Sequence, residues 1–397
     1  MSSRKFKTET LAIRQQMAQT RHGEHSVPLY LTSSYAFDSG DEMADAFAGV
    51  IDANVYSRYS NPNVEELVTK FCSLEGAAAG IATSTGMAAI FSTFGGLLQQ
   101  GDHIIASRAL FGSAIQILSH ILPKWNITCT YVDPVDIGSW DAAVQPNTRM
   151  VFLETPSNPS LWITDLEKAG DFCKSNGLIY VVDNCFATPI LQQPIKYGAS
   201  LVIHSATKYA DGHGRVLGGI IVGTNELMEK ITFFNRHTGP SLSAFNAWIL
   251  SKSLETLALR VRAHSAQAAE LARRLKDHPK LDQVIYPFAS DHPQVELAKK
   301  QMEAGGGILG VKVKGDYVHT LQFINQLEMI SVSPNLGDTR TIVTHPTSST
   351  HCRMTEAERL LVGIPPNLVR FSVGLEHIDD IEEDIQIALS KMQKAGL

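Results

Sequence analysis

The sequence predicts an α/β protein with a mostly parallel sheet in its larger domain and a smaller α/β domain at the C-terminal end. Three observations carry this expectation. At 397 residues the chain exceeds what one ordinary core organises, so two domains are expected. From about residue 64 to 250, short apolar runs alternate with helical and loop segments of ordinary length. Several runs, "LIYVVD" above all, are apolar on both faces, as strands covered by helices on both sides must be.

Taken in order, residues 1–60 are irregular apart from a helical piece around 8–20, and read as an arm lying against something else. The runs "GIATS", "DHIIAS", "NITCTYVD", "MVFLET", "LIYVVDN" and "SLVIHS" are then the strands of the larger domain, residues 61–255. Residues 247–275 carry apolar positions at helical spacing and predict one long helix, a hinge into a C-terminal domain over 256–397. Within it, "GGGILGVKVKG", "MISVSPN" and "LVRFSVG" read as strands, and "DDIEEDIQIALSKMQKAGL" as a closing amphipathic helix.

Composition narrows the function classes. Hydrophobic residues make up 44% of the chain and charged residues 19%, the balance of a soluble globular protein. A net charge of −6 disfavours nucleic acid as a partner, and no apolar run reaches the roughly 18 residues of a membrane span. The first residues lack the apolar core of a signal peptide, so a cytoplasmic location is expected. Five scattered cysteines without CxxC spacing form neither a disulfide framework nor a zinc site; Cys185, just past an acidic strand end, is the one expected near chemistry. His345 and His351 lack a third ligand at metal-binding spacing, so no metal is expected.

Ligands of such sheets sit beyond the carboxyl ends of the strands, and here those ends are polar. Asp183 closes "IYVVD"; it either caps a loop or supplies the counter-charge for a protonated ring nitrogen, such as that of pyridoxal phosphate (PLP). "TSTGMAAI", 83–90, is a strand end entering a helix, where free amides and the helix dipole attract phosphate, although it is not a nucleotide fingerprint. In "SATK" an extended backbone would turn Ser205 and Thr207 to one side, toward one anion, with the amine of Lys208 following.

The order of "YSRYSNPN", "TGM", "ETPSNP", "IYVVD", "SATK" and "VRFSVGLEH" resembles the Cys/Met metabolism family of PLP-dependent enzymes across nearly the whole chain. The resemblance implies the aspartate-aminotransferase-like fold, PLP-dependent transferase fold type I. It implies Lys208 as the lysine that bonds the cofactor, Asp183 as partner of its ring nitrogen, and Phe111 stacked on the ring where relatives carry tyrosine. Gly86, Met87, Ser205 and Thr207 would hold the phosphate. Tyr56 and Arg58 would reach the phosphate of a neighbouring subunit, in a homotetramer assembled as a dimer of dimers. Asn158 and Arg370 would meet the substrate carboxylate.

Two segments bear on the reaction. "DGHGRVLGG", 211–219, resembles the loop of the O-succinylhomoserine sulfhydrylase subgroup, and Asn335 stands where many relatives have serine. Ser113 stands where methionine-cleaving lyases carry cysteine. The expected reaction is therefore γ-replacement on O-succinyl-L-homoserine by sulfide, giving L-homocysteine and succinate in methionine biosynthesis. Cystathionine γ-synthase, O-acetylhomoserine sulfhydrylase and methionine γ-lyase are the alternatives within the family, and a nonenzymatic PLP-binding protein the alternative outside it. Arg215 and Arg340, in segments peculiar to this subgroup, are the candidate cations for the succinyl carboxylate, and His213 is a candidate for shaping substrate access.

Overall fold

The computed structural model describes residues 6–392. Its larger sheet contains β1 (Ala79–Thr83), β2 (His103–Ser107), β3 (Thr128–Val132), β4 (Thr148–Glu154), β5 (Ile179–Asp183), β6 (Leu201–Ser205) and β7 (Gly219–Gly223). The strand order is β1-β7-β6-β5-β4-β2-β3. Strands β2 to β6 pair in parallel, and β7 runs antiparallel to both of its neighbours. Successive side chains of β5 and β6 enter different cores: Tyr180, Val182 and Val202 pack on one face, Val181, Leu201 and Ile203 on the other. Burial on both faces is why these strands read as continuous apolar runs.

Strand β7 was not among the expected strands, because glycines close both of its ends. A side chain at Gly219 would collide with the carbonyl oxygen of Thr85, and one at Gly223 with that of Ser200. The close approach of neighbouring backbone therefore dictates residues that disguise the strand.

The expected single helix over 247–275 is two helices, Ala244–Leu254 and Leu257–Leu275. At the break the Ser253 carbonyl accepts from Arg260 Nη2 (2.9 Å) and from the Thr256 amide (3.2 Å). Tertiary bonding by one arginine outweighs a helical pattern that is continuous in sequence.

The second sheet contains β8 (Leu281–Ile285), β9 (Ile308–Val313), β10 (Ser331–Val332), β11 (Ile342–Thr344) and β12 (Leu368–Ser372), in the order β10-β11-β12-β9-β8. Strands β8 and β11 add to the three expected. Val369 and Phe371 of β12 pack with the helices Leu257–Leu275 and Ile378–Lys391. Alternation then turns Arg370 to the opposite face, toward the larger sheet. The closing helix stops at Lys391, and 393–397 lie outside the described residues.

In the N-terminal arm, α1 (Thr8–Arg14) is shorter than the expected 8–20, and α2 (Gly40–Ala48) is a helix the sequence reading did not anticipate. None of its residues is buried. Next come α3 (Pro62–Glu75) and, after β1, α4 (Gly86–Leu97). Among the described residues no helix is long and apolar enough to cross a membrane.

Candidate active site

The carboxyl ends of β4, β5 and β6 and the start of α4 open onto a cavity of about 220 Å³, closed from the second sheet by Pro334, Leu336 and Arg370. Gly86, Met87, Phe111, Asn158, Asp183, Cys185, Ser205, Thr207 and Lys208 all line it, so most of the residues singled out in the sequence meet here.

One corner is built for an anion. Thr85 caps α4 by accepting from the Ala88 amide (3.0 Å), which leaves the Gly86 and Met87 amides at the first helical positions without intrahelical acceptors. A side chain at Gly86 would stand 2.6 Å from Ser205 Cβ, so only glycine lets α4 approach β6 this closely. Ser205 and Thr207 both face the cavity, but not through the strand alternation expected. The chain leaves β6 at Ser205 and turns, with the Lys208 amide donating to the Ser205 carbonyl (3.2 Å) and Gly218 N donating to Thr207 Oγ1 (3.2 Å).

Two carboxylates stand side by side at the ends of adjacent parallel strands, Glu154 opposite Asp183. Burial raises Asp183 to about 6, against the Cys185 amide, which donates to Asp183 Oδ1 (3.0 Å), and the nearby His204. Burial, with Asp183 as neighbour, pushes Glu154 well above its ordinary range. Glu154 Oε2 accepts from the Phe111 amide (2.8 Å) and so fixes where that ring enters the cavity. No role had been assigned to Glu154, although "MVFLE" ends in an acid as "IYVVD" does, and that shared pattern is the signal that finds it.

Burial lowers the Lys208 ammonium from its ordinary value, opposed by Cys185 and reinforced by the charge on Arg370. Its Nζ donates to Asn335 Oδ1 (2.6 Å), a short charge-assisted bond to the loop between β10 and β11. The loop after it is clamped by Arg260, whose Nη1 donates to the Tyr209 carbonyl (2.7 Å). Cys185 also lines the cavity, and burial holds its thiol in the uncharged form.

Arg370 is 2% exposed, and its neighbours are neutral acceptors. Nη1 donates to Asn158 Oδ1 (3.0 Å), and Nη2 to the Asn335 carbonyl (2.9 Å) and Thr344 Oγ1 (3.2 Å). Its Nε is buried without a partner. Burial brings its value down to about 10, and no carboxylate among the described residues forms an ion pair with it. A desolvated cation with an unused donor is an incomplete anion site.

Other candidates lie elsewhere. Arg215 Nε donates to Asp211 Oδ1 (3.0 Å), and Arg340 donates from Nε and Nη2 to Asp338 (3.0 and 2.9 Å). Neither arginine lines the cavity, and each is already neutralised by an acid in its own loop. His213 bonds the Asp211 carbonyl through Nδ1 (2.8 Å) and does not line the cavity either. Tyr56 is 41% exposed; Arg58 packs 4.7 Å over the Tyr59 ring and donates to the Arg236 carbonyl, so this chain does not bring the pair to its own cavity. His345 spends both ring nitrogens on Ser348 Oγ (2.9 Å) and the Pro366 carbonyl (2.8 Å).

The family model for Cys/Met metabolism PLP-dependent enzymes matches residues 9–390. An O-succinylhomoserine sulfhydrylase of Pseudomonas aeruginosa is 42% identical over 97% of this chain and 95% of its own. An L-methionine gamma-lyase of Fusobacterium nucleatum is 38% identical over 99% of this chain and 100% of its own. A Campylobacter jejuni crystal structure described as an O-acetylhomoserine (thiol)-lyase, carrying a pyridoxyl-lysine monophosphate, superposes with a TM-score of 0.94 at 31% identity, covering 97% of this chain and 100% of that one.

Proposed function

The chain belongs to the Cys/Met metabolism PLP-dependent enzymes, and on that footing we propose that it replaces the ester of O-succinyl-L-homoserine with sulfide, giving L-homocysteine and succinate. It is a PLP-dependent enzyme with the aspartate-aminotransferase-like fold of that family.

The residues present fit the cofactor. The free amides of Gly86 and Met87, with the Ser205 and Thr207 hydroxyls, form a cradle that a Cβ at position 86 would fill, and they would hold the phosphate. Asp183 supplies a buried anion for the ring nitrogen, and Lys208 a desolvated amine for the aldehyde carbon. Phe111 would lie against the ring.

When bound, the cofactor would draw off the electrons left at Cα once its proton is removed, which makes a Cβ proton acidic, and loss of that second proton would let the bond from Cγ to the leaving ester oxygen break. The protein residues do the rest. Arg370 takes the α-carboxylate, filling its unused Nε, and Asn158 holds that guanidinium in place. Lys208, freed by the substrate amine, carries the proton from Cα; its lowered value leaves more of it neutral and able to accept. With Phe111 in place of a phenol, Lys208 has no second ring acid to share that work. Succinate leaves with the ester oxygen, hydrosulfide forms the new C–S bond at Cγ, and protons return to Cβ and Cα.

The observation that carries the reading is Arg370, a buried guanidinium with no carboxylate partner and an Nε without an acceptor. Ser113, in place of a cysteine, favours replacement over lyase activity. The exposed arm is read as the part that completes another copy's site: α2 buries nothing, and Leu31 and Val50 are each 71% exposed. Tyr56 and Arg58 would then serve a neighbour's phosphate in a homotetramer.

The test offers succinylhomoserine with sulfide, with cysteine and with no thiol, and methionine alone. Homocysteine with sulfide as the fastest product supports the reading. Faster turnover with cysteine makes the enzyme a cystathionine synthase, and faster breakdown of methionine makes it a lyase. Visible cofactor absorbance should disappear in Lys208→Ala.

A further inference from the structure

We propose that the acyl tail of the ester is read by Arg353, in a second chamber beside the main cavity. This deepens the γ-replacement reading and rests on it. A tail ending in a carboxylate needs a cation that the chain has not already neutralised, and Arg215 and Arg340 are both spent on Asp211 and Asp338. Arg353 is exposed and has no ion-pair partner among the described residues.

Its location suits the task. Arg353 lines a chamber of about 290 Å³ between the segment 112–116 and the segment 349–354, shared with Ser113, Gln116, Thr350 and His351. Phe111 lines the main cavity and Gly112 this chamber, so the same stretch of chain borders both. The segments meet there: a Cβ at Gly112 would stand 3.0 Å from the Thr350 carbonyl oxygen.

The chamber wall mixes polar residues with Ile115, Cys352 and Met354, and Arg353 is its one side chain that is always charged. His351 is 3% exposed and bonds Thr350 Oγ1 through Nδ1 (2.8 Å). Burial, reinforced by the charges of Arg370 and Arg359, brings its imidazole down to about 4, so it is neutral at working pH. A neutral wall accommodates the ester linkage, and the charge arrives only at Arg353, where a four-carbon dicarboxylate half-ester presents its second carboxylate. An acetyl ester has nothing to offer that residue. The ligand class of the chamber is therefore an aliphatic acyl chain with a terminal carboxylate.

The experiment measures kcat/KM for succinyl- and acetylhomoserine with sulfide, and succinate affinity by calorimetry, in holoenzyme with normal cofactor absorbance. Arg353→Met should cut the succinyl-over-acetyl ratio about tenfold, an ordinary effect of losing one charge-assisted contact, and should weaken succinate binding. Arg353→Lys should keep part of the preference. A wild type that prefers the succinyl ester, with an unchanged ratio in Arg353→Met, overturns the inference and leaves the reaction standing. A wild type without that preference overturns the succinyl reading, and the inference with it.

Discussion

Strand β12 and the loops 211–215 and 338–340 each present an arginine close to the same domain junction, in opposite electrostatic circumstances. Arg370 is buried among neutral acceptors, with its Nε unpartnered. Arg215 and Arg340 are more exposed, yet each is paired with an acid two or four residues away. The difference teaches that a cation's availability to a ligand depends on what already neutralises it. The arginine that looks least accessible is the one left waiting for an anion.

The comparison is most directly broken by replacing each arginine in turn. Arg370→Met should lower kcat/KM by about 10²- to 10³-fold, the range for removing one member of a buried charge pair with a ligand. Stability should change little, since an unpaired buried charge is removed along with its hydrogen bonds. Arg215→Met should do the reverse. It leaves Asp211, fully buried, without its guanidinium, at a cost of about 2 kcal/mol in denaturant unfolding, while folded enzyme keeps most of its activity. If both variants lose activity and stability alike, the contrast is false.

A second contrast sharpens the first by sign of charge. Asp183 has a folded value near 6, above its ordinary value of 3.8, through burial. The stability tied to its proton is therefore present below the unfolded value and lost as pH rises through about 6. In cofactor-free protein, Asp183→Asn should raise stability by about 3 kcal/mol at pH 8 relative to wild type, and by little at pH 4. The same variant should lose most activity, because the ring nitrogen loses its counter-charge. Thermal melts of both apo-proteins across pH 4–8 read this directly. The smallest effect is expected at Arg340, whose side chain is 66% exposed: Arg340→Gln should cost under about 1 kcal/mol and leave ester preference intact.

How far these features were visible in the sequence follows from where each interaction is made. Strands β5 and β6 were readable because burial on two faces leaves an unbroken apolar run. The acids and hydroxyls at their ends were readable because polar residues there break the pattern. Strand β7 was hidden by glycines that its neighbours' carbonyls require, and the helix break at Glu255 and Thr256 by a side-chain bond from Arg260. Ser205 and Thr207 were placed in the right cavity by the wrong geometry, a strand where the chain turns. Glu154 carried the same signal as Asp183 and was passed over. Arg215 and Arg340 were chosen for their segment, while the acids that neutralise them, Asp211 and Asp338, lay within four residues and were unweighted.

One competition measures the central claim. Equal concentrations of O-succinyl- and O-acetyl-L-homoserine are supplied with limiting sulfide, and succinate, acetate, homocysteine and 2-oxobutanoate are quantified together. Succinate is expected in about tenfold excess over acetate, with one homocysteine for each acid released. Acetate in excess, or 2-oxobutanoate in place of homocysteine, would contradict it.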